Sequence, residues 1–191
     1  MNIGLFFGSF NPIHIGHLAI ANYILEFTEL ERVWYVISPH NPLKDKSTLL
    51  PDHHRYQMVH RAIEDDFRFK ASDVEFKLSQ PSYTVNTLAV LKEKYPEHNF
   101  SLIMGMDNLN TFHKWKNFQI ILEDYFIYVY PRPGVSMKVN FDTSKIKIAD
   151  APIMEISSSF IRNAIKDGKD IRYFLHPKVF EFIEEMHFYK K

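Results

Sequence analysis

Two histidines, His14 and His17, stand three residues apart in the stretch Gly8-Ser9-Phe10-Asn11-Pro12-Ile13-His14-Ile15-Gly16-His17. A short apolar run precedes the stretch, Pro12 stops that run, and a helical pattern begins near Gly16. The order is that of a strand handing over to a helix start. Free N–H groups and the helix dipole at such a start both favour an anion. An imidazole placed there can donate a hydrogen bond to a phosphate oxygen, and its charged form would add Coulombic attraction. Gly8 lets backbone come close to a bound group, and Ser9 adds a hydroxyl and an N–H. An ordinary capped turn could also bring two of the chain's 10 histidines together. The agreement of strand, glycine, proline and helix start favours chemistry. Zinc catalysis would need a third ligand, and none is obvious beside the pair.

A second cluster lies near the other end of the chain. Met154-Glu155-Ile156-Ser157-Ser158-Ser159-Phe160-Ile161-Arg162 places three hydroxyls at a helix start, with Arg162 four residues after Ser158 and on the same face. Unpaired N–H groups, hydroxyls and a guanidinium can then converge on one anion. A serine cap beside a surface arginine is the plain alternative. Two such cradles in one chain are poorly explained by coincidence.

These clusters need a scaffold, and the hydrophobic pattern supplies one. Residues 3–7, 33–37, 100–104 and 126–130 are short apolar runs rich in β-branched or aromatic residues. Such continuity suits strands buried on both faces of a parallel sheet. Amphipathic stretches lie at about residues 16–27, 52–64, 84–94 and 107–122, the last of them broken. Asp52 and Thr84 are placed to cap the second and third helices, and Tyr95-Pro96 ends the third. Ser157 or Ser158 opens a helix that stops at Gly168, and Pro177 starts a last one. Alternating strands and helices imply right-handed crossovers and an α/β, doubly wound, mostly parallel sheet. Ligands of such folds sit beyond the carboxyl ends of the strands. The segment 39–51, which contains Asn41-Pro42 and Lys44, reads as a loop of functional size.

Composition bounds the rest. The chain has 191 residues, which suits one domain over residues 1–191, with C-terminal helices from about residue 157. Lys and Arg number 23 against 23 Asp and Glu, which argues against a nucleic-acid partner. No apolar stretch is long enough to span a bilayer, so no membrane partner is expected. The first residues read as a strand and make a poor signal peptide. Cysteine is absent, which removes disulfides, thiolate metal sites and a cysteine nucleophile, and is compatible with the cytoplasm, the expected location. Assembly with further copies of the same chain is left open.

The His14–His17 stretch resembles the signature of the HIGH-type nucleotidyltransferase superfamily, whose members join a nucleoside triphosphate to a phosphate or carboxylate. Asn11 stands where many relatives carry Asp, and Ser9 where many carry Thr. Both swaps keep hydrogen-bonding groups. The second cluster resembles the I-S-S-T-x-I-R motif that holds the ATP triphosphate in that superfamily, with Ser159 in place of Thr. The resemblance implies a Rossmann-like fold with His14, His17, Lys44 and Arg162 as catalytic residues. It implies ATP binding by Gly8, Ser9, Phe10, Ile156, Ser157 and Ser158.

Three further features resemble the nicotinate mononucleotide adenylyltransferases within the superfamily. Asn41-Pro42-Leu43-Lys44 is similar to their P-x-x-K loop, where a lysine can neutralise charge on the transferring phosphate. Ser82-Tyr83-Thr84 with Thr87-Leu88 is similar to their S-Y-T-x-x-T-L segment. Thr84 at a helix start would receive the nicotinate carboxylate, which gains more from the dipole than a neutral carboxamide does. Gly105-Met106-Asp107 followed by Trp115 and by Arg132-Pro133-Gly134 is similar to their G-x-D…W order. Asp107 would bind ribose hydroxyls, and Trp115 would offer a face to the pyridinium ring. Lys116 stands where relatives often carry Tyr. The implied partners are ATP and nicotinate mononucleotide, with Mg²⁺ carried on ATP and no dedicated metal cage. Other acceptors, such as nicotinamide mononucleotide or pantetheine phosphate, remain open on these residues. A nucleotide-sensing module without turnover would be expected to lose a charge-stabilising residue, yet His14, His17, Lys44 and Arg162 are all present, and the neutral charge counts against a fragment of a class I aminoacyl-tRNA synthetase.

Overall fold

The computed structural model describes residues 1–39 and 49–190. Its strands are β1 (Asn2–Gly8), β2 (Arg32–Ile37), β3 (Phe69–Ser72), β4 (Asn99–Gly105), β5 (Ile127–Tyr130) and β6 (Ile146–Ile148). They form one sheet in the order β3-β2-β1-β4-β5-β6, and every pairing of neighbours is parallel. The helices are α1 (Ile15–Phe27), α2 (Asp52–Ile63), α3 (Thr84–Lys94), α4 (Met106–Asn110), α5 (Phe118–Asp124), α6 (Ser158–Lys166) and α7 (Pro177–Glu185).

Side chains alternate across each central strand because the strand period is two. Val33, Tyr35 and Ile37 of β2 enter one core, while Trp34 and Val36 enter the other. The first core is closed by buried residues of α1, α2, α6 and α7, and the second by those of α3, α4 and α5. Helices thus cover both faces, as a doubly wound sheet requires. The strand order reverses between β1 and β4, so the crevice beyond their carboxyl ends is the topological switch point. None of the described helices is long and apolar enough to cross a membrane.

Two caps differ from expectation. α2 begins at Asp52 itself, because the Pro51 carbonyl accepts the first helical N–H bonds, from His54 at 3.1 Å and Arg55 at 3.3 Å. Asp52 sits inside the first turn, where its charge still complements the dipole. α3 likewise begins at Thr84, with Tyr83 in the capping position and no side-chain cap. Its entry is set instead by a tertiary anchor described below. The strands β3 and β6 fall outside the four apolar runs. Both are edge strands, and each carries a lysine, Lys70 or Lys147, among its few residues.

Candidate active site

The turn after β1 is built around Phe10, whose φ of 44° lies in the left-handed region that side chains disfavour. Packing holds it there. The ring is 2% exposed and meets Phe6, Tyr35 and His17 with centroids at 5.9, 5.5 and 5.1 Å. A Cβ on Gly8 would lie 2.8 Å from that ring. The bare face of Gly8 therefore makes room for the Phe10 ring. The Phe10 side chain belongs to the core.

His14 precedes α1 in the capping position, and His17 lies in the first turn, with ring centroids 3.8 Å apart. The His14 N–H donates to Nδ1 of His17 at 3.3 Å. With Nδ1 accepting, the proton of a neutral His17 sits on Nε2, which makes that nitrogen a donor. His14 is buried, and its Nδ1 has no hydrogen-bond partner among the described residues. The ring lies about 3.1 Å from where a Cβ on Gly16 would stand, so a side chain at 16 would crowd it. Burial, and then the charge of Arg132, pull the His14 pKa down to about 4. His14 is therefore a neutral dipole near pH 7, and the Coulombic attraction open to a charged imidazole is absent before a ligand binds.

The second cluster docks onto the same turn. Ser157 caps α6 by accepting the Phe160 N–H at 3.1 Å. Ser158 Oγ donates to the Pro12 carbonyl at 2.9 Å, and Arg162 Nη1 donates to the Asn11 carbonyl at 2.9 Å. Arg162 Nη2 also reaches Ser159 Oγ at 3.3 Å. Ile156 packs against the first core. The two cradles, distant in sequence, thus share one wall.

Arg55 is a site residue that the sequence reading missed. It is 1% exposed, and its guanidinium donates to the carbonyls of Leu50, Ser9, Ser38 and Pro39 at 2.7–3.0 Å. It ties the exits of β1 and β2 to the approach of α2. Burial lowers its pKa, opposed by Asp52 and Tyr189. A single arginine in an amphipathic stretch gives no hint of burial, since its partners are backbone groups from separate loops.

Across the switch point, β4 ends at Gly105. A Cβ there would lie 2.4 Å from Asp107 Oδ1 and 2.9 Å from Arg132 Nε, so a side chain at 105 would push this pair aside. Asp107 and Arg132 form an ion pair at 3.4 Å, and Arg132 Nη2 donates to the Tyr130 hydroxyl at 3.2 Å. The charge of Arg132 also acts on His14. Arg132 was recognised in the motif but not as a site residue. Asp107, expected to bind ribose hydroxyls, shares its half-exposed carboxylate with this arginine.

The entry to α3 rests on Glu75, a second missed residue, 2% exposed. Its carboxyl oxygens accept from Thr87 Oγ1 at 2.8 Å and Ser82 Oγ at 3.0 Å. This is the anchor that replaces a local cap and sets Thr84 as the first helical residue. Trp115 is half-buried on the second core, with its ring 5.3 Å from Phe112. Lys116 lays its ammonium 4.4 Å from the Tyr83 ring, joining the Trp115 segment to the start of α3. Lys44 lies outside the described residues. Among the described residues, no three His, Asp or Glu side chains gather to hold a metal ion.

A parallel sheet with two anion-binding helix starts at its switch point defines a nucleotide-binding α/β protein. Residues 5–164 match the cytidylyltransferase-like family. A protein of Flavobacterium johnsoniae named "Probable nicotinate-nucleotide adenylyltransferase" is 59% identical over the whole of both chains. One of the same name from Bacteroides fragilis is 53% identical, over 94% of this chain and 90% of its own. The fold is similar to that of Plasmodium falciparum nicotinic acid mononucleotide adenylyltransferase complexed with NaAD. That likeness has a TM-score of 0.79 and 22% identity, over 98% of this chain and 97% of the other. The chain belongs to the nicotinate-nucleotide adenylyltransferase family.

Proposed function

We propose that the protein joins ATP and nicotinate mononucleotide to give nicotinate adenine dinucleotide and pyrophosphate. One phosphate oxygen of the mononucleotide forms a bond to the α-phosphorus of ATP in line, and the bond from that phosphorus to the β-bridging oxygen breaks. The attacking group is already an anion, so no strong general base is needed. Positioning and charge stabilisation then supply the catalysis. The observation that carries this reading is the docking of Ser158 and Arg162 on the Asn11-Pro12 turn beside His14.

In this reading Nε2–H of His17 and the neutral imidazole of His14 donate to the α-phosphate oxygens, with Lys44 adding charge. Arg162 and Ser158 hold the departing β- and γ-phosphates, and Ser9 and the Phe10 backbone line the nucleotide. Mg²⁺ would arrive on the ATP oxygens and neutralise part of their charge. The cradle's N–H and guanidinium donors suit phosphates that bring their own cation.

On the acceptor side, the N–H groups at the start of α3 receive the nicotinate carboxylate beside Thr84. Trp115 offers a ring face, and Asp107 binds ribose hydroxyls while steadied by Arg132. Mass analysis of the protein mixed with Mg-ATP and nicotinate mononucleotide tests the whole scheme. Dinucleotide and pyrophosphate should form, and nicotinamide mononucleotide should react less well. Absence of dinucleotide, or equal use of pantetheine phosphate, would overturn the assignment. Equal use of acid and amide would remove the Thr84 end of α3 from substrate selection.

A further inference from the structure

The segment after α7 reaches back to the turn that carries the histidines. His187 and Tyr189 both adopt left-handed backbone, with φ of 55° and 63°, a conformation that side chains disfavour unless the surroundings hold it. Here the surroundings do. His187 donates from Nδ1 to the Glu184 carbonyl at 2.7 Å, and the Phe188 N–H donates to the Ile183 carbonyl at 3.1 Å. The buried Phe188 ring packs edge-on against Phe182 at 5.5 Å and lies 4.8 Å from the His54 ring. Pinned in this way, Tyr189 turns inward, and its hydroxyl donates to Asn11 Oδ1 at 2.8 Å.

Asn11 is the node on which the phosphate cradle hangs. It is 4% exposed. Its side-chain oxygen accepts from Tyr189 and from the Leu50 N–H at 3.3 Å, and its carbonyl accepts from Arg162. Four segments meet at this one residue: the exit of β1, the approach to α2, the first turns of α6, and the segment after α7.

We infer that Tyr189 is a positioning residue for ATP, acting through Asn11 to fix the turn that presents His14 and receives Arg162. The inference rests on the reading of that turn as the ATP polyphosphate site. Tyr189 touches no substrate in this scheme. Its ring fills space that a phenylalanine would also fill, so the hydroxyl alone carries the effect.

The test is Tyr189→Phe, alone and in an Asn11→Ala background. Loss of one such hydrogen bond should lower kcat/KM for ATP about 3- to 10-fold. The KM for nicotinate mononucleotide should stay within about twofold, and the thermal midpoint should fall by less than about 4 °C. In the Asn11→Ala background, Tyr189→Phe should add nothing, because the route through Asn11 is already gone. An unchanged kcat/KM for ATP, equal losses for both substrates, or full additivity with Asn11→Ala would each overturn the inference. The Kd of a non-hydrolysable ATP analogue, measured by calorimetry for wild type and Tyr189→Phe, separates the two levels. If the wild type binds the analogue but makes no dinucleotide, the functional reading fails, and a weaker Kd in the variant still supports the role of Tyr189. An equal Kd in the two proteins sinks it.

Discussion

The proposed polyphosphate cup is closed by a hydrogen bond between residues 151 apart in sequence, Arg162 to Asn11. The proposed pyridine end is anchored within 12 residues, from Glu75 to Thr87. Long-range ties make the cup a product of the whole fold, in which α6 and the β1 exit must both be in place before either is useful. The local anchor can change with its own segment while the cup stands. The two ends also differ electrically. His14 is buried and neutral, whereas Asp107 and Arg132 form a half-exposed ion pair. In the proposed function this contrast divides the labour between a partly desolvated cup for the nucleotide and a more exposed rim for the acceptor.

The sharpest way to break the comparison is His17→Ala. Losing one donor aimed at developing charge costs about 10²–10³ in turnover by analogy with an oxyanion donor. The variant should lose kcat on that scale and keep its fold by circular dichroism. A folded variant with unchanged kcat would take His17 out of the chemistry and leave the cup a binding device.

Next in size is a pH effect on stability carried by His14. Its pKa is about 4 in the folded chain against 6.5 for the free side chain. Between these values the unfolded chain binds the extra proton, so stability is complete above about pH 6.5 and is lost as pH falls towards 4. The full loss is about 3 kcal/mol. His14→Gln should flatten thermal midpoints across this window relative to wild type. Parallel curves for the two proteins would mean that His14 titrates normally and that the cup is wetter than its burial implies.

Glu75→Ala addresses the other end. It removes the carboxylate that accepts from two hydroxyls, leaving Thr87 only a longer bond to the Tyr83 carbonyl at 3.4 Å, which should cost about 1–3 kcal/mol of stability in thermal melts. It should also raise KM for nicotinate mononucleotide and leave KM for ATP nearly unchanged. An equal rise in both would show that the two ends are not separable. Lys116→Met is the smallest test. Removing an exposed cation from the Tyr83 ring should change KM for the pyridine nucleotide by no more than about threefold. A much larger change would make Lys116 a direct contact of the substrate.

Much of the scaffold was legible from residue order. β1, β2, β4 and β5 are read from apolar runs because a central parallel strand is buried on both faces. β3 and β6 are not, since an edge strand meets solvent and needs no such run. The helix starts at Ser157 and near Gly16 follow from local cap and turn signals, which act within a few residues. Asp52 and Thr84 were displaced by one position from their expected caps because a neighbouring carbonyl and a tertiary anchor set those entries.

The paired histidines, the serine cluster with Arg162 and the pyridine motifs were set by sequence alone, since residue type and short spacing suffice to recognise them. Only the tertiary structure decided that Gly8 packs against Phe10, that Asp107 is shared with Arg132, and which partners Arg55, Glu75 and Tyr189 meet. Those partners are backbone carbonyls, hydroxyls and an amide brought in from other segments. A hydrogen bond depends on distance and direction in space, and residue order constrains neither once the partners lie in different elements.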